Sequence, residues 1–188
     1  SESLKSISTE LTLDFWAYFD LEKLKGKDVV LITKAPGGGF GYGYMLRYID
    51  GERPMQCLFL FLAEGWEKRG FHPLNNAITT TGWHHITVTY SVKAKEAVFF
   101  IDGVKVFSQA SSLKSIAPST RPLIIGAIER GHKDRTKVNT FPGRIDEVKV
   151  WSKALTAEDI QKYYGHMFVK SSLVSPENLS TVNNTKPL

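Results

Sequence analysis

Gly82-Trp83-His84-His85-Ile86-Thr87-Val88-Thr89-Tyr90 is the stretch that decides the fold. In an extended chain Ile86, Val88 and Tyr90 share one face, and Trp83, His85, Thr87 and Thr89 share the other. A period of two in β-branched and aromatic residues, opened by glycine, is a strand signal. The same pattern recurs on both sides. Upstream, Leu11, Leu13, Phe15, Ala17 and Phe19 alternate with Thr12, Asp14, Trp16, Tyr18 and Asp20. Strands at 28–34 and 42–49 flank the breaker Pro36-Gly37-Gly38-Gly39, and the turn Asp50-Gly51 leads to an apolar strand at 56–63. Downstream, a strand at 97–101 meets the tight turn Asp102-Gly103 and returns through 104–107, with further strands at 123–128 and 145–151. Short strands with turn signals about every 8–12 residues predict an all-β, two-sheet antiparallel jelly-roll sandwich.

Two stretches depart from this rhythm. Residues 64–82 are polar and read as a long insertion. Thr156-Ala157-Glu158-Asp159 reads as a capping box, with Ile160, Tyr163 and Tyr164 as the apolar stripe of one short helix over 156–164. Beyond Gly165 the pattern fades, and 171–188 is rich in Ser, Asn, Thr and Pro. The expected division is a domain over 1–168 and a linker over 169–188, the latter holding the glycosylation sequons Asn178-Leu179-Ser180 and Asn183-Asn184-Thr185.

Composition bounds the function. The chain has 188 residues, of which 42% are hydrophobic, enough for one sandwich core. A net charge of +5 fits ordinary solubility and is compatible with an acidic glycan or nucleic acid without demanding either; nucleic acid is not among the expected partners. The single cysteine, Cys57, lies in an apolar run, which excludes a disulfide framework within the chain and a cysteine metal site. Apolar runs reach about seven residues, far below the ~20 that span a bilayer. A start at Ser1 without Met reads as a segment tethered to other domains of a longer protein.

Three segments in order carry a resemblance. They are 82–90, quoted above; Phe100-Ile101-Asp102-Gly103-Val104-Lys105-Val106; and Phe141-Pro142-Gly143-Arg144-Ile145-Asp146-Glu147-Val148-Lys149-Val150-Trp151, followed by Leu155-Thr156-Ala157-Glu158-Asp159-Ile160. With Leu123-Ile124-Ile125-Gly126 between them, the series resembles the laminin-G-like, concanavalin A-like lectin/glucanase jelly rolls over residues 4–164. Family members usually open with one more strand, which this sequence does not show. The resemblance implies an extracellular, secreted or surface-borne recognition module that binds carbohydrate. Its alternatives are a protein-binding adhesion domain of the laminin or neurexin kind and a glycan-active hydrolase or lyase.

Catalytic chemistry finds little purchase. Glycosidases of this fold carry paired carboxylates, about 5–5.5 Å apart in the retaining class. Asp146 and Glu147 are adjacent and point to opposite faces of a strand. Glu158 and Asp159 belong to a helix cap, and the Gly37-Gly38-Gly39 run precedes a strand rather than the helix N-terminus that phosphate binding uses. His84 and His85, being adjacent, cannot ligate one metal from a single strand, where i, i+2 spacing is needed. Trp83 reads as a core residue plugging a sheet edge rather than as a sugar platform.

Binding residues are sought on loops. Tyr42 follows the triple glycine, and Trp66 and His72 lie in the polar insertion, where aromatics can stack against sugar C–H faces. Arg130, Lys133 and Arg135 cluster after the 123–128 strand, where they could grip the acidic groups of an anionic polysaccharide or form a solvated loop. Asp146 alternates with Val148 and Val150 and is read as an inward acid at a sheet end. The resemblance implies a structural calcium ion there, held by this carboxylate and backbone carbonyls; the residues alone equally allow Asp146 to accept backbone amides in a turn.

Overall fold

A computed structural model describes residues 7–35, 42–50, 56–64, 67–71, 78–128 and 140–172. Two five-stranded antiparallel sheets stack face to face. Sheet A has the order β10 (Arg144–Trp151), β1 (Glu10–Phe19), β6 (Gly82–Ser91), β7 (Glu96–Ile101) and β8 (Val104–Ala110). Sheet B runs β5 (Glu67–Phe71), β4 (Gln56–Glu64), β3 (Tyr44–Asp50), β2 (Asp28–Thr33) and β9 (Ile124–Ile125). The expected jelly-roll sandwich is the observed fold.

The faces follow from the sequence period. Leu11, Leu13 and Phe15 of β1 lie across from Tyr90, Val88 and Ile86 of β6, and these six, with Ala17 and Phe19, are buried in the central core. Leu46, Tyr48, Leu58, Leu60 and Leu62 of sheet B close that core from the other side. Apolar burial of this kind stabilises at roughly 25 cal/mol per Å². Cys57 is a free, buried thiol on β4. The Asp102-Gly103 turn joins β7 to β8 with both residues at positive φ, 51° and 75°, as a two-residue hairpin of type I′ requires.

Three elements differ from expectation. The polar insertion contains a strand, β5, whose Phe71 pairs with Leu60 and is buried; main-chain pairing with β4 overrides a polar composition. A single-turn helix, α1 (Leu21–Leu24), follows β1, where the Asp20 side chain caps the Lys23 amide. The C-terminal helix α2 (Ala157–Ser172) runs well beyond Tyr164, through Gly165. Its capping box is as predicted: Asp159 N–H donates to Thr156 Oγ1 and Thr156 N–H donates to Asp159 Oδ2, each at 3.2 Å. No helix of the described residues is long and apolar enough to cross a membrane.

Candidate functional site

Sheet A turns an unusual face to the outside. Three of the four tryptophans, Trp16, Trp83 and Trp151, lie there rather than in the central core. Cross-strand pairing sets the residues in rows. The outermost row is Trp83 of β6, Tyr18 of β1 and Arg144 of β10. Trp83 meets the Tyr18 ring edge-on at 5.8 Å, and the Arg144 guanidinium lies 5.4 Å from the centre of the same ring. Trp83 and Tyr18 are half-buried and Arg144 is exposed, so Trp83 is not the core plug its sequence suggested. Lys23, paired with Asp20 at 2.8 Å, adds a second positive charge within electrostatic reach of Tyr18 and Arg144.

The next rows are buried. Trp16 pairs with His85, and Asp14 with Thr87. Thr87 Oγ1 donates to Asp14 Oδ2 at 3.0 Å, His85 Nε2 lies 3.3 Å from the same oxygen, and Lys149 Nζ reaches Asp14 Oδ1 at 3.8 Å. Helix α2 sits over this part of the face. Tyr164 stacks on Trp16 at 6.2 Å and tilts against His85 at 5.5 Å, while Leu155 and Ile160 bury themselves on Phe100. The segment leading into α2 is tied to β1: Thr12 Oγ1 donates to Lys153 C=O and accepts from Leu155 N–H, and Glu10 accepts from Ala154 N–H.

Asp146 does not face inward. Asp14 pairs with Lys149 but Trp16 pairs with Asp146, so β10 carries a bulge opposite Phe15. Glu147 takes a φ of 52° there. The extra residue shifts the alternation: Ile145, Val148 and Val150 pack on the core while Asp146 is exposed. Its Oδ1 accepts the Glu147 amide at 2.8 Å, the turn role that the residues allowed. Among the described residues no three His, Cys, Asp or Glu side chains gather to hold a metal, so these side chains do not by themselves make up a calcium site.

Of the loop candidates, Tyr42, two residues before β3, is 54% exposed. Its neighbour Gly43 donates to the Ala117 carbonyl and accepts from Ala63, pinning the chain beneath it. Trp66, His72, Arg130, Lys133 and Arg135 lie outside the described residues.

His84 forms the one carboxylate–imidazole–hydroxyl sequence at the end of β6 among the described residues. Its Nδ1 lies 2.8 Å from Asp102 Oδ2, and its Nε2 is 3.2 Å from Thr80 Oγ1 and 3.1 Å from Thr80 C=O. Burial alone would lower the His84 pKa, but the hydrogen bond and charge of Asp102 and the Thr80 carbonyl outweigh it and raise it above its ordinary value. The shift favours the protonated form, in which both ring nitrogens donate, one to Asp102 and one to Thr80, and that form clamps the end of the strand. Asp102 Oδ1 also accepts the His85 amide at 2.8 Å.

Comparison with known proteins gives the same architecture. No curated protein sequence matches the chain. The binding domain of Paraclostridial Mosquitocidal Protein 1 superposes with a TM-score of 0.63 at 19% identity, over 88% of this chain and 39% of that one. A candidate carbohydrate binding protein from Bacteroides ovatus gives 0.60 at 18% identity, over 82% and 40%. The binding domain of botulinum neurotoxin DC in complex with SialylT gives 0.59 at 12% identity, over 84% and 35%. The chain thus spans 35–40% of these structures, and at such identities the likeness concerns the fold. The family described as the concanavalin A-like lectin/glucanases superfamily matches residues 1–161, and the chain belongs to it.

Proposed function

We propose that this domain is a non-catalytic module that binds carbohydrate, carried by a larger secreted or cell-surface protein. The observation that carries the reading is the outer row of sheet A, Trp83–Tyr18–Arg144, where two half-buried aromatics adjoin an exposed guanidinium. Sugars bring apolar C–H faces to aromatic rings and acidic groups to an arginine fork. The names of the Bacteroides ovatus protein and of the neurotoxin domain bound to SialylT support a saccharide ligand. A protein ligand is the second reading, since the same neurotoxin domain is also solved with rat synaptotagmin II.

Arg144 and Lys23 favour an anionic polysaccharide, and the Arg130, Lys133 and Arg135 cluster is proposed as a further contact of the same sign. Tyr42, Trp66 and His72 remain proposed contacts. Binding to a glycan array tests the reading, with sulfated and carboxylated polymers expected among the hits. Trp83→Ala should weaken binding by about 1–3 kcal/mol, the scale of one anchoring aromatic. Binding to a protein partner with no saccharide bound would overturn it.

A further inference from the structure

We infer that the binding face continues beneath α2 as an inner subsite for a neutral, hydroxyl-rich sugar ring, built by Trp16, His85, Asp14 and Thr87 and roofed by Tyr164. The inference rests on the carbohydrate-binding reading and adds to it a second site and the class of ring it takes.

Unpartnered donors point to it. Among the described residues, six buried side-chain atoms make no hydrogen bond, and four of them lie on this one face: Trp16 Nε1, both ring nitrogens of His85, and Trp151 Nε1. Trp16 is 3% exposed and His85 is not exposed at all. Buried polar groups are ordinarily satisfied, and a cluster of exceptions at one interface calls for a specific explanation. His85 Nε2 stands near Asp14, but in a poor hydrogen-bonding geometry.

The chemistry of the set matches vicinal hydroxyls. A hydroxyl both donates and accepts. Asp14 supplies an acceptor, Trp16 an indole donor, and His85 one of each when neutral. Lys149 balances Asp14, so the subsite has no net charge from these two groups, in contrast with the cationic Arg144 row beside it. A neutral ring suits the inner position and an acidic one the outer.

The roof occupies the place a sugar would take. Tyr164 lies over Trp16 with only 23° between the ring planes, as a stacked ligand ring would. The hold is divided. Leu155 and Ile160 are fully packed and the 153–155 segment is hydrogen-bonded to β1, whereas Tyr164, one turn on, is only half-buried. Lifting α2 from Tyr164 onward therefore leaves its anchor in place, and saccharide and Tyr164 compete for one surface.

Titration calorimetry of the full chain with cellohexaose, laminarihexaose and a hyaluronan hexasaccharide, with hydrogen exchange read over α2, tests this. Tyr164→Ala should strengthen binding of a neutral hexasaccharide about tenfold, and Trp16→Phe, which keeps the ring but removes the N–H, should reverse the gain. In the unaltered protein a bound neutral hexasaccharide should speed amide exchange beyond Ile160, a readout that holds even where Tyr164→Ala fails to fold. Unchanged or weaker binding in a folded Tyr164→Ala, or no change in α2 exchange on binding, overturns the inner subsite. If binding is lost in Trp83→Ala yet indifferent to both inner variants, the subsite falls while the carbohydrate reading stands. If no saccharide binds the unaltered protein, both fall.

Discussion

Asp102→Asn separates the charge of the His84 clamp from its geometry. Asparagine tolerates the positive φ of 51° at this turn, and its amide oxygen still accepts the His85 N–H, so the hairpin is kept. What is lost is the carboxylate charge that favours the protonated imidazole. Hydrogen bonds to charged groups contribute about 1.5–3 kcal/mol, and the partial exposure of Asp102 reduces this to about 1–2 kcal/mol. Because the folded pKa of His84 is raised, its contribution is fully present below the unfolded value near 6.5 and is lost as pH rises through the folded value. Asp102→Asn should therefore cost about 1–2 kcal/mol at pH 5.5. Above the folded pKa a neutral His84 can accept from the new amide and still donate to the Thr80 carbonyl, so the cost should be smaller at pH 9 than at pH 5.5. Urea unfolding at both pH values measures this, and calorimetry should show a melting difference of about 2–8 °C at the acidic end for a chain of this size. A cost independent of pH would refute the cationic clamp.

Other outcomes follow from single features. Gly43→Ala places a Cβ 2.1 Å from the Lys34 carbonyl oxygen at a φ of 78°, and should cost about 2–4 kcal/mol in denaturant unfolding. The Cys57 thiol is buried and its pKa is raised by desolvation, so a disulfide reagent should label it only as fast as the protein opens and stoichiometrically in denaturant. A calcium ion held by Asp146 and backbone carbonyls would make EDTA lower the melting temperature and calcium restore it, with both effects gone in Asp146→Ala; indifference to chelator and metal would refute the ion.

Much of the fold was legible because the two sheets obey the period of two on their inner faces. Leu11 to Phe19 and Ile86 to Tyr90 needed only that rule, and the Asp102-Gly103 turn needed only the demand for positive φ. Register failed where one residue was inserted: nothing in Asp146-Glu147-Val148 distinguishes a bulge from plain alternation, and the slip carried Asp146 to the outside. β5 escaped notice because its pairing with β4 is a main-chain matter to which Glu67, Lys68 and Arg69 give no side-chain clue. The outer face of sheet A was half in view. Thr12, Asp14, Trp16 and Tyr18 were visible as the alternate face of β1, and a face holding a tryptophan and an acid beside Trp83, His85 and Thr87 signals a covered, polar surface. Which residues α2 would cover could not be found locally, since Tyr164 and Trp16 are brought together only by the closed sandwich.

The position of β1 has a consequence for synthesis. This early strand is the second of its sheet, held between β6 and the late strand β10, so that Thr12 lies beside Trp151 and Glu10 bonds to Ala154. As the chain leaves the ribosome, β1 can find β6 once residue 91 has emerged, but its other edge stays open until nearly the whole domain is made. During that interval a strand with five alternating apolar side chains presents unpaired amides to every neighbouring nascent chain. Completion is a long-range event and correspondingly slow. A ribosome paused before β10 has emerged should hold a sticky, chaperone-dependent intermediate, whereas release of β10 should convert it in one cooperative step.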